Sequence, residues 1–214
     1  SEVLEEFKKY FDVVGNDDLY DIEKENISNI LETDKEIIFT SGSTEANNIA
    51  IKGVALAYKS RGNHIITSSI EHPSVLDSCK WLEENFGFEI TYLPIDSNGK
   101  VSLDDLKKAL RKDTILVSVM AINNEIGSIN DIKALSKYVK ENSSAIFHCD
   151  ATQAMGKEII DYSYVDLYNF SSHKIYGLKG SAVLVKKEKV RILPLISGGQ
   201  QEFNLRGGTS NWHN

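Results

Sequence analysis

Cysteine and proline are scarce in this chain of 214 residues: there are two cysteines, Cys79 and Cys149, and three prolines. Two distant cysteines exclude a disulfide framework and a zinc knuckle, and no metal is expected. Proline together with only 14 glycines is too little for a collagenous or low-complexity chain. Positive charge is also lacking. The net charge is −7 and no block of Lys or Arg occurs, so a nucleic-acid backbone would meet a surface of the wrong sign. Long apolar runs are missing too. The longest, Ile115-Leu-Val-Ser-Val-Met-Ala-Ile122, falls far short of the roughly 20 residues that cross a bilayer. The start, Ser1-Glu-Val-Leu-Glu-Glu-Phe-Lys-Lys-Tyr10, has neither the charge order nor the apolar segment of a signal peptide. These absences predict a cytosolic chain with no nucleic-acid or membrane partner. No internal repeat or linker-like stretch occurs, so one domain over 1–214 is expected.

The apolar pattern alternates between two periods. Val3, Leu4, Phe7, Tyr10 and Phe11 recur at helical spacing, and Leu19, Ile22, Ile27, Ile30 and Leu31 form a second, less regular stripe. Ile37–Thr40 is a short apolar run. After it, Ala46, Ile49, Ala50, Gly53, Val54 and Ala57 mark one face of a helix from Thr44 to about Tyr58. Strands are predicted at His64–Thr67, Glu89–Leu93, Thr114–Val119, Ala145–Cys149 and Ser181–Val185. Helices are predicted at Pro73–Phe86, with proline in the first turn, at about Ser102–Arg111, with Ser102 as N-cap, and at Asp131–Glu141. Strands alternating with helices imply βαβ units and a mostly parallel sheet covered on both faces.

In such sheets ligands gather where strand ends lead into helix N-termini. Three segments carry polar residues there. Thr40-Ser-Gly-Ser-Thr-Glu-Ala46 joins a strand to a helix. Gly42 suits a tight turn, and the backbone N–H groups around Ser43, Thr44 and Glu45 suit an anion. Alone, the segment reads as a plain helix cap. Ala145-Ile-Phe-His-Cys-Asp-Ala-Thr-Gln153 ends an apolar strand in a carboxylate, which is either a cap or salt-bridge partner or a fixed charge for a cationic ring nitrogen. Asn169-Phe-Ser-Ser-His-Lys-Ile-Tyr-Gly-Leu-Lys-Gly180 sets Lys174 beside Ser171, Ser172 and His173 in a Gly-bounded loop. A lone lysine is a solvated surface group, but one beside a cation and away from water can form a Schiff base. An anion cradle, an Asp and such a lysine together meet the needs of pyridoxal 5′-phosphate.

Read in order, Phe39-Thr-Ser-Gly-Ser-Thr-Glu-Ala-Asn-Asn-Ile-Ala-Ile-Lys-Gly53, Glu71-His72, Asn123-Asn-Glu-Ile-Gly127, Asp150-Ala-Thr-Gln153, Ser171-Ser-His-Lys-Ile-Tyr-Gly177 and Arg206-Gly-Gly-Thr209 are in sequence order. The chain from about Glu36 to Thr209 thereby resembles the cysteine desulfurases, pyridoxal-phosphate enzymes of the class V aminotransferase group that feed iron–sulfur cluster assembly. The resemblance implies the large domain of the fold type I transferases. It implies that Ser43 and Thr44, helped by Ser171 and His173, hold the cofactor phosphate. Asp150 would pair with the ring nitrogen. Gln153 and Asn124 would bond the ring's phenolic oxygen and the substrate nearby. His72 would stack on the ring and move protons, and a partly buried Lys174 would bond to the cofactor aldehyde. Thr209 would touch the phosphate of the partner's cofactor in a homodimer. L-cysteine would be the substrate and a sulfur-acceptor or scaffold protein the recipient.

The chain departs from that family in three respects. Family members run on past Arg-Gly-Gly-Thr into a smaller domain bearing the persulfide-forming cysteine and an arginine for the substrate carboxylate, so this chain alone is expected to be inactive. Only Gly15-Asn16-Asp-Asp18 stands for the family's longer N-terminal segment. Ser172 replaces a glycine, which would crowd the phosphate loop. Cys79 and Cys149 read as buried, inert thiols. The alternatives are a non-catalytic cofactor-binding remnant, or a related member such as a selenocysteine lyase or an aminotransferase.

Overall fold

The computed structural model describes residue 5 and residues 17–208. The expected first helix, with Val3, Leu4, Phe7, Tyr10 and Phe11, lies outside the described residues, as do Gly15, Asn16 and Thr209. In chain order the elements are α1 (Asp17–Ile30), β1 (Glu36–Thr40), α2 (Ser43–Tyr58), β2 (His64–Ser68), α3 (Pro73–Phe86), β3 (Glu89–Leu93), α4 (Leu103–Ala109), β4 (Thr114–Ser118), α5 (Ile132–Asn142), β5 (Ile146–Asp150), β6 (Leu167–Ser171) and β7 (Ala182–Lys186). One sheet orders its strands β1-β7-β6-β5-β4-β2-β3. β7 is antiparallel to both its neighbours, and the other pairs are parallel. β1 therefore runs parallel to β6, and the carboxyl ends of β1, β2, β4, β5 and β6 share one edge.

Every residue of β2, β4, β5, β6 and β7 is buried. Burial on both faces is why these strands show no alternation of apolar and polar residues, β4 being the nearest to a continuous apolar run. Successive residues serve opposite faces. Ile38, Ile65, Leu116, Ile146 and Leu184 pack with Ile49, Val54, Val75 and Leu82 of α2 and α3. Ile37, Ile66, Val117, Phe147 and Val185 pack with Leu106, Ile132, Leu135 and Val139 of α4 and α5. Gly53 lets α2 press close: a Cβ there would sit 2.8 Å from the Leu193 carbonyl oxygen, whose own N–H donates to Gly53 O at 3.0 Å.

α3 spans the predicted residues. His72 caps it, accepting from Ser74 N, and Gly87 ends it in the left-handed region at φ 70°. Ser102 caps α4 through Asp104 N and Asp105 N. Other elements differ from expectation. β6 was not foreseen, because Asn169 and Ser171 look like loop residues. In the fold Asn169 satisfies its carbonyl with His148 and so sits inside the sheet. Within α1, Ile22 and Ile30 are 49% and 80% exposed, so these two do not face the core, while Ile27 and the following Leu31 pack inward. The Leu19 side chain lies outside those described.

The two-sided core sets a stability expectation. Phe147→Ala removes a fully buried ring from the central strand and is expected to cost about 3–5 kcal/mol in urea unfolding. Ile22→Ala, on the exposed side of α1, is expected to change stability by less than about 0.5 kcal/mol.

Candidate active site

The shared edge opens on a cavity of about 290 Å³. Its walls include Ser43, Thr44, His72, Asn124, Asp150, Gln153, Ser171, His173 and Lys174. Five strand ends thus bring together every predicted site residue that the structure describes; Thr209 lies outside the described residues. Met120 and Ile122 add an apolar wall, and Thr152 a further hydroxyl, none of which was singled out from the sequence. Thr152 stood in the quoted Asp-Ala-Thr-Gln motif, and its polar side chain one turn past a strand end was the available signal.

At the N-terminus of α2, three hydroxyls from three elements meet. Ser43 N donates to Ser171 Oγ at 3.0 Å, the Ser43 and Ser171 hydroxyls lie 2.8 Å apart, and Thr152 Oγ1 donates to Ser43 Oγ at 2.7 Å. The N-cap is Gly42, which supplies no side-chain acceptor for the first-turn N–H groups. Such a helix start is a ready anion site, since its amide donors and dipole both favour negative charge. Gly42 itself is extended (φ 168°), a backbone any residue can adopt, and a Cβ there would meet nothing within 4 Å. Its contribution is open space beside the cradle and not the tight turn expected.

Asp150, at the end of β5, is buried. Its Oδ2 accepts from Asn47 Nδ2 at 2.8 Å and its Oδ1 from Thr152 N at 3.0 Å. Below it, His148 lies between Ser118 Oγ and Asn169 Oδ1, each at 2.8 Å, and burial pushes its pKa down. An imidazole so placed is neutral and structural. A carboxylate with two fixed donors, an anion cradle and an apolar wall fit a phosphate-bearing aromatic ring with a basic nitrogen.

Lys174 ends a single 3₁₀ turn (Ser172–Lys174) that follows β6. Both it and His173 are exposed, contrary to the expected partial burial. They stand at the mouth of the cavity, and no described element covers them. The amine has no hydrogen-bond or ion-pair partner among the described residues. Ser172 does not crowd the cradle as expected. Its hydroxyl turns away to the carbonyls of Leu178 and Ser181 (2.9 Å to the latter) and accepts from Ser181 Oγ at 3.0 Å. Ser172 O takes the N–H groups of Ile175 and Gly177, and a Cβ on Gly177 would lie 2.9 Å from that of Ser172.

Arg206 brings the C-terminal segment to the same edge, where its Nε bonds Glu45 Oε1 at 2.9 Å. Burial alone would push the Glu45 carboxyl up, but the hydrogen bonds from Ser41 and Arg206 outweigh it and hold it below its ordinary value. Both cysteines lie outside the cavity wall. Burial pushes the Cys79 thiol up to about 12 and raises that of Cys149 well above its usual value. Both are inert at neutral pH. Among the described residues no cluster could hold a metal ion and no helix is long and apolar enough to cross a membrane.

Residues 16–212 match the aminotransferase class V family. The chain is 56% identical over 178 residues to the cysteine desulfurase IscS of Dictyoglomus turgidum, covering 82% of this chain and 45% of that protein. A solved NifS-like protein superposes with a TM-score of 0.93 at 37% identity, over 100% of this chain and 63% of that one. A second, SspA in complex with cysteine, gives 0.90 at 35% identity over 100% and 66%. The chain spans between 38% and 48% of the length of the curated relatives it matches. The solved neighbours share its α/β fold with the mostly parallel sheet.

Beside the cavity, Glu71 is fully enclosed. Its Oε1 accepts from Ser68 Oγ at 2.6 Å and Met120 N at 2.9 Å, while Oε2 has no partner. Burial, reinforced by Asp150, raises its pKa from 4.5 to about 8 against those two hydrogen bonds. The native carboxyl is therefore protonated, and the unfolded one ionised, between about pH 4.5 and 8. Stability from this group is complete below that window and is lost as pH rises through it. Glu71→Gln is expected to flatten the fall by an amount on the order of a few kcal/mol, measured as the wild-type minus variant difference in urea unfolding at pH 5 and pH 8.

Proposed function

The chain belongs to the aminotransferase class V family, and on that premise we propose that it is the cofactor-binding large domain, over 1–214, of a pyridoxal-phosphate-dependent cysteine desulfurase. In this reading the whole protein converts L-cysteine to L-alanine and passes the sulfur to an acceptor or scaffold protein for iron–sulfur cluster assembly. What supports it is the convergence in one cavity of a helix-start anion cradle, the buried Asp150 and the unpaired amine of Lys174. The similarity to proteins named as cysteine desulfurases supports the choice of reaction within the family.

Ser43, Thr44, Ser171 and His173 hold the phosphate, with Thr152 orienting the Ser43 hydroxyl. Asp150 stabilises a protonated ring nitrogen through a charge-assisted hydrogen bond. Gln153 and Asn124 would orient the ring's phenolic oxygen and the substrate, His72 would cover the ring and serve proton exchange, and Lys174 would supply the amine for the cofactor aldehyde. Bound pyridoxal phosphate supplies an electron sink that lets bonds at an amino acid's α carbon break. The sulfur-accepting thiol is neither Cys79 nor Cys149, both of which lie buried away from the cavity. This chain's own share is therefore cofactor and substrate binding. The same reading includes an isologous homodimer, in which Thr209, outside the described residues, would serve the cofactor phosphate of the second subunit. Two free buried thiols suit a reducing, cytosol-like compartment.

Pyridoxal phosphate added to the purified chain, followed by borohydride reduction, is expected to label the peptide containing Lys174. Lys174→Ala should lose the covalent label and keep part of the non-covalent binding. Ser43→Ala and Thr44→Ala should each weaken cofactor retention roughly tenfold. Mass spectrometry finding the label on Lys179, or on no lysine of cofactor-saturated protein, would overturn the assignment.

A further inference from the structure

The cavity wall is backed by an amide that touches no part of the cavity itself. Asn47 lies on the inner face of α2 and is fully buried. Its Nδ2 donates twice, to Asp150 Oδ2 at 2.8 Å and to Ser74 Oγ at 2.9 Å. Ser74 Oγ is in turn 2.8 Å from His72 Nδ1, and Ser74 N donates to the same nitrogen at 3.1 Å. Asp150 and His72 both line the cavity. One amide thus connects two lining groups drawn from β5 and from the start of α3.

The direction of every bond in this chain is fixed by chemistry. A carboxylate accepts, so the Asn47 group facing Asp150 is the N–H₂ and not the oxygen. The same nitrogen gives its second hydrogen to Ser74, which fills one acceptor site of that hydroxyl and leaves its proton for His72. A backbone N–H can only donate, so His72 Nδ1 is an acceptor. Its neutral ring then carries the proton on Nε2, the nitrogen left for the cavity. The buried Oδ1 of Asn47 has no partner, which marks an amide held for its donor arms.

We propose that Asn47 and Ser74 are positioning residues: from Asp150 outward they set the direction of donation that holds His72 as the Nε2–H tautomer, so that His72 presents a donor to the cavity. The inference rests on the pyridoxal-phosphate reading for what the donor acts upon; the tautomer itself does not. In its resting state His72 gives a hydrogen bond through Nε2–H to an acceptor in the cavity, while Nδ1 stays turned to Ser74.

The test is long-range proton–nitrogen NMR on the full chain labelled at histidine, without cofactor. His72 is assigned among the five histidines by its loss in His72→Gln. The wild-type ring is expected to show an Nε2–H excess on the order of tenfold, the ratio set by one neutral hydrogen bond. That excess should fall severalfold in Ser74→Ala and in Asn47→Ala, although Asn47 does not touch the ring, and return in Ser74→Thr. Should Asn47→Ala not fold, Ser74→Ala and its threonine rescue carry the test. A wild-type ring that is mainly Nδ1–H, or a ratio unmoved in Ser74→Ala, would overturn the proposal. With no cofactor present, such a failure is distinct from a failed borohydride label, which would count against the functional reading instead.

Discussion

A sheet covered on both faces admits a polar side chain within its span only where a neighbouring strand or loop satisfies it, and this constraint organises the molecule. The interior of β2, β4, β5, β6 and β7 is buried throughout, so any side chain that needs water or a ligand must stand at a rim. Because β1 to β6 run the same way apart from the inserted β7, one rim collects the loops that lead into α2 and α3 and the 3₁₀ turn bearing Lys174. The cavity follows from strand direction before any particular residue is considered. What the residues add is sign: donors at the start of α2, an acceptor at the end of β5, and an amine at the end of β6.

Much of this was legible in the sequence, for physical reasons that differ by element. α3 could be bounded at both ends because proline fixes its first turn and Gly87 its last, both local effects. The motif residues could be grouped because each stands where an apolar run breaks into polar residues, which in this fold is always a strand end. β6 escaped detection because its two polar residues find partners far away in sequence, Asn169 Oδ1 accepting from His148 and Ser171 Oγ meeting Ser43. Asn47 escaped for the same reason. Within the stripe Ala46, Ile49, Ala50 it looks like an interruption, and only the fold reveals that Ser74 and Asp150 await its hydrogens. The exposure of Lys174 and of Ile22 and Ile30 depends on what covers a surface, which periodicity does not encode.

Buried polar groups divide into two kinds here. His64, held between Thr114 and Thr91, and His148, held between Ser118 and Asn169, are satisfied on both nitrogens and tie adjacent strands together. Glu71 and Asn47 keep one unpartnered oxygen each, close to the cavity. Unpartnered polar atoms are disfavoured in a well-packed interior; others occur elsewhere among the described residues, but these two stand directly behind groups that line the cavity.

The bracing of Ser172 by Ser181 and Leu178 has a mechanical consequence. The residues from 172 to 181 form a noose whose neck is knotted where β6 ends and β7 begins, and the two strands are themselves paired along their length. The backbone beneath Lys174 is consequently anchored from both sides. Any journey its amine makes into the cavity and out again must be made by the four-carbon side chain alone, swinging like a boom from a fixed mast. Exposed side chains turn over on a picosecond-to-nanosecond scale, so neither arrival nor departure of the amine has to wait for the slower movement of a loop.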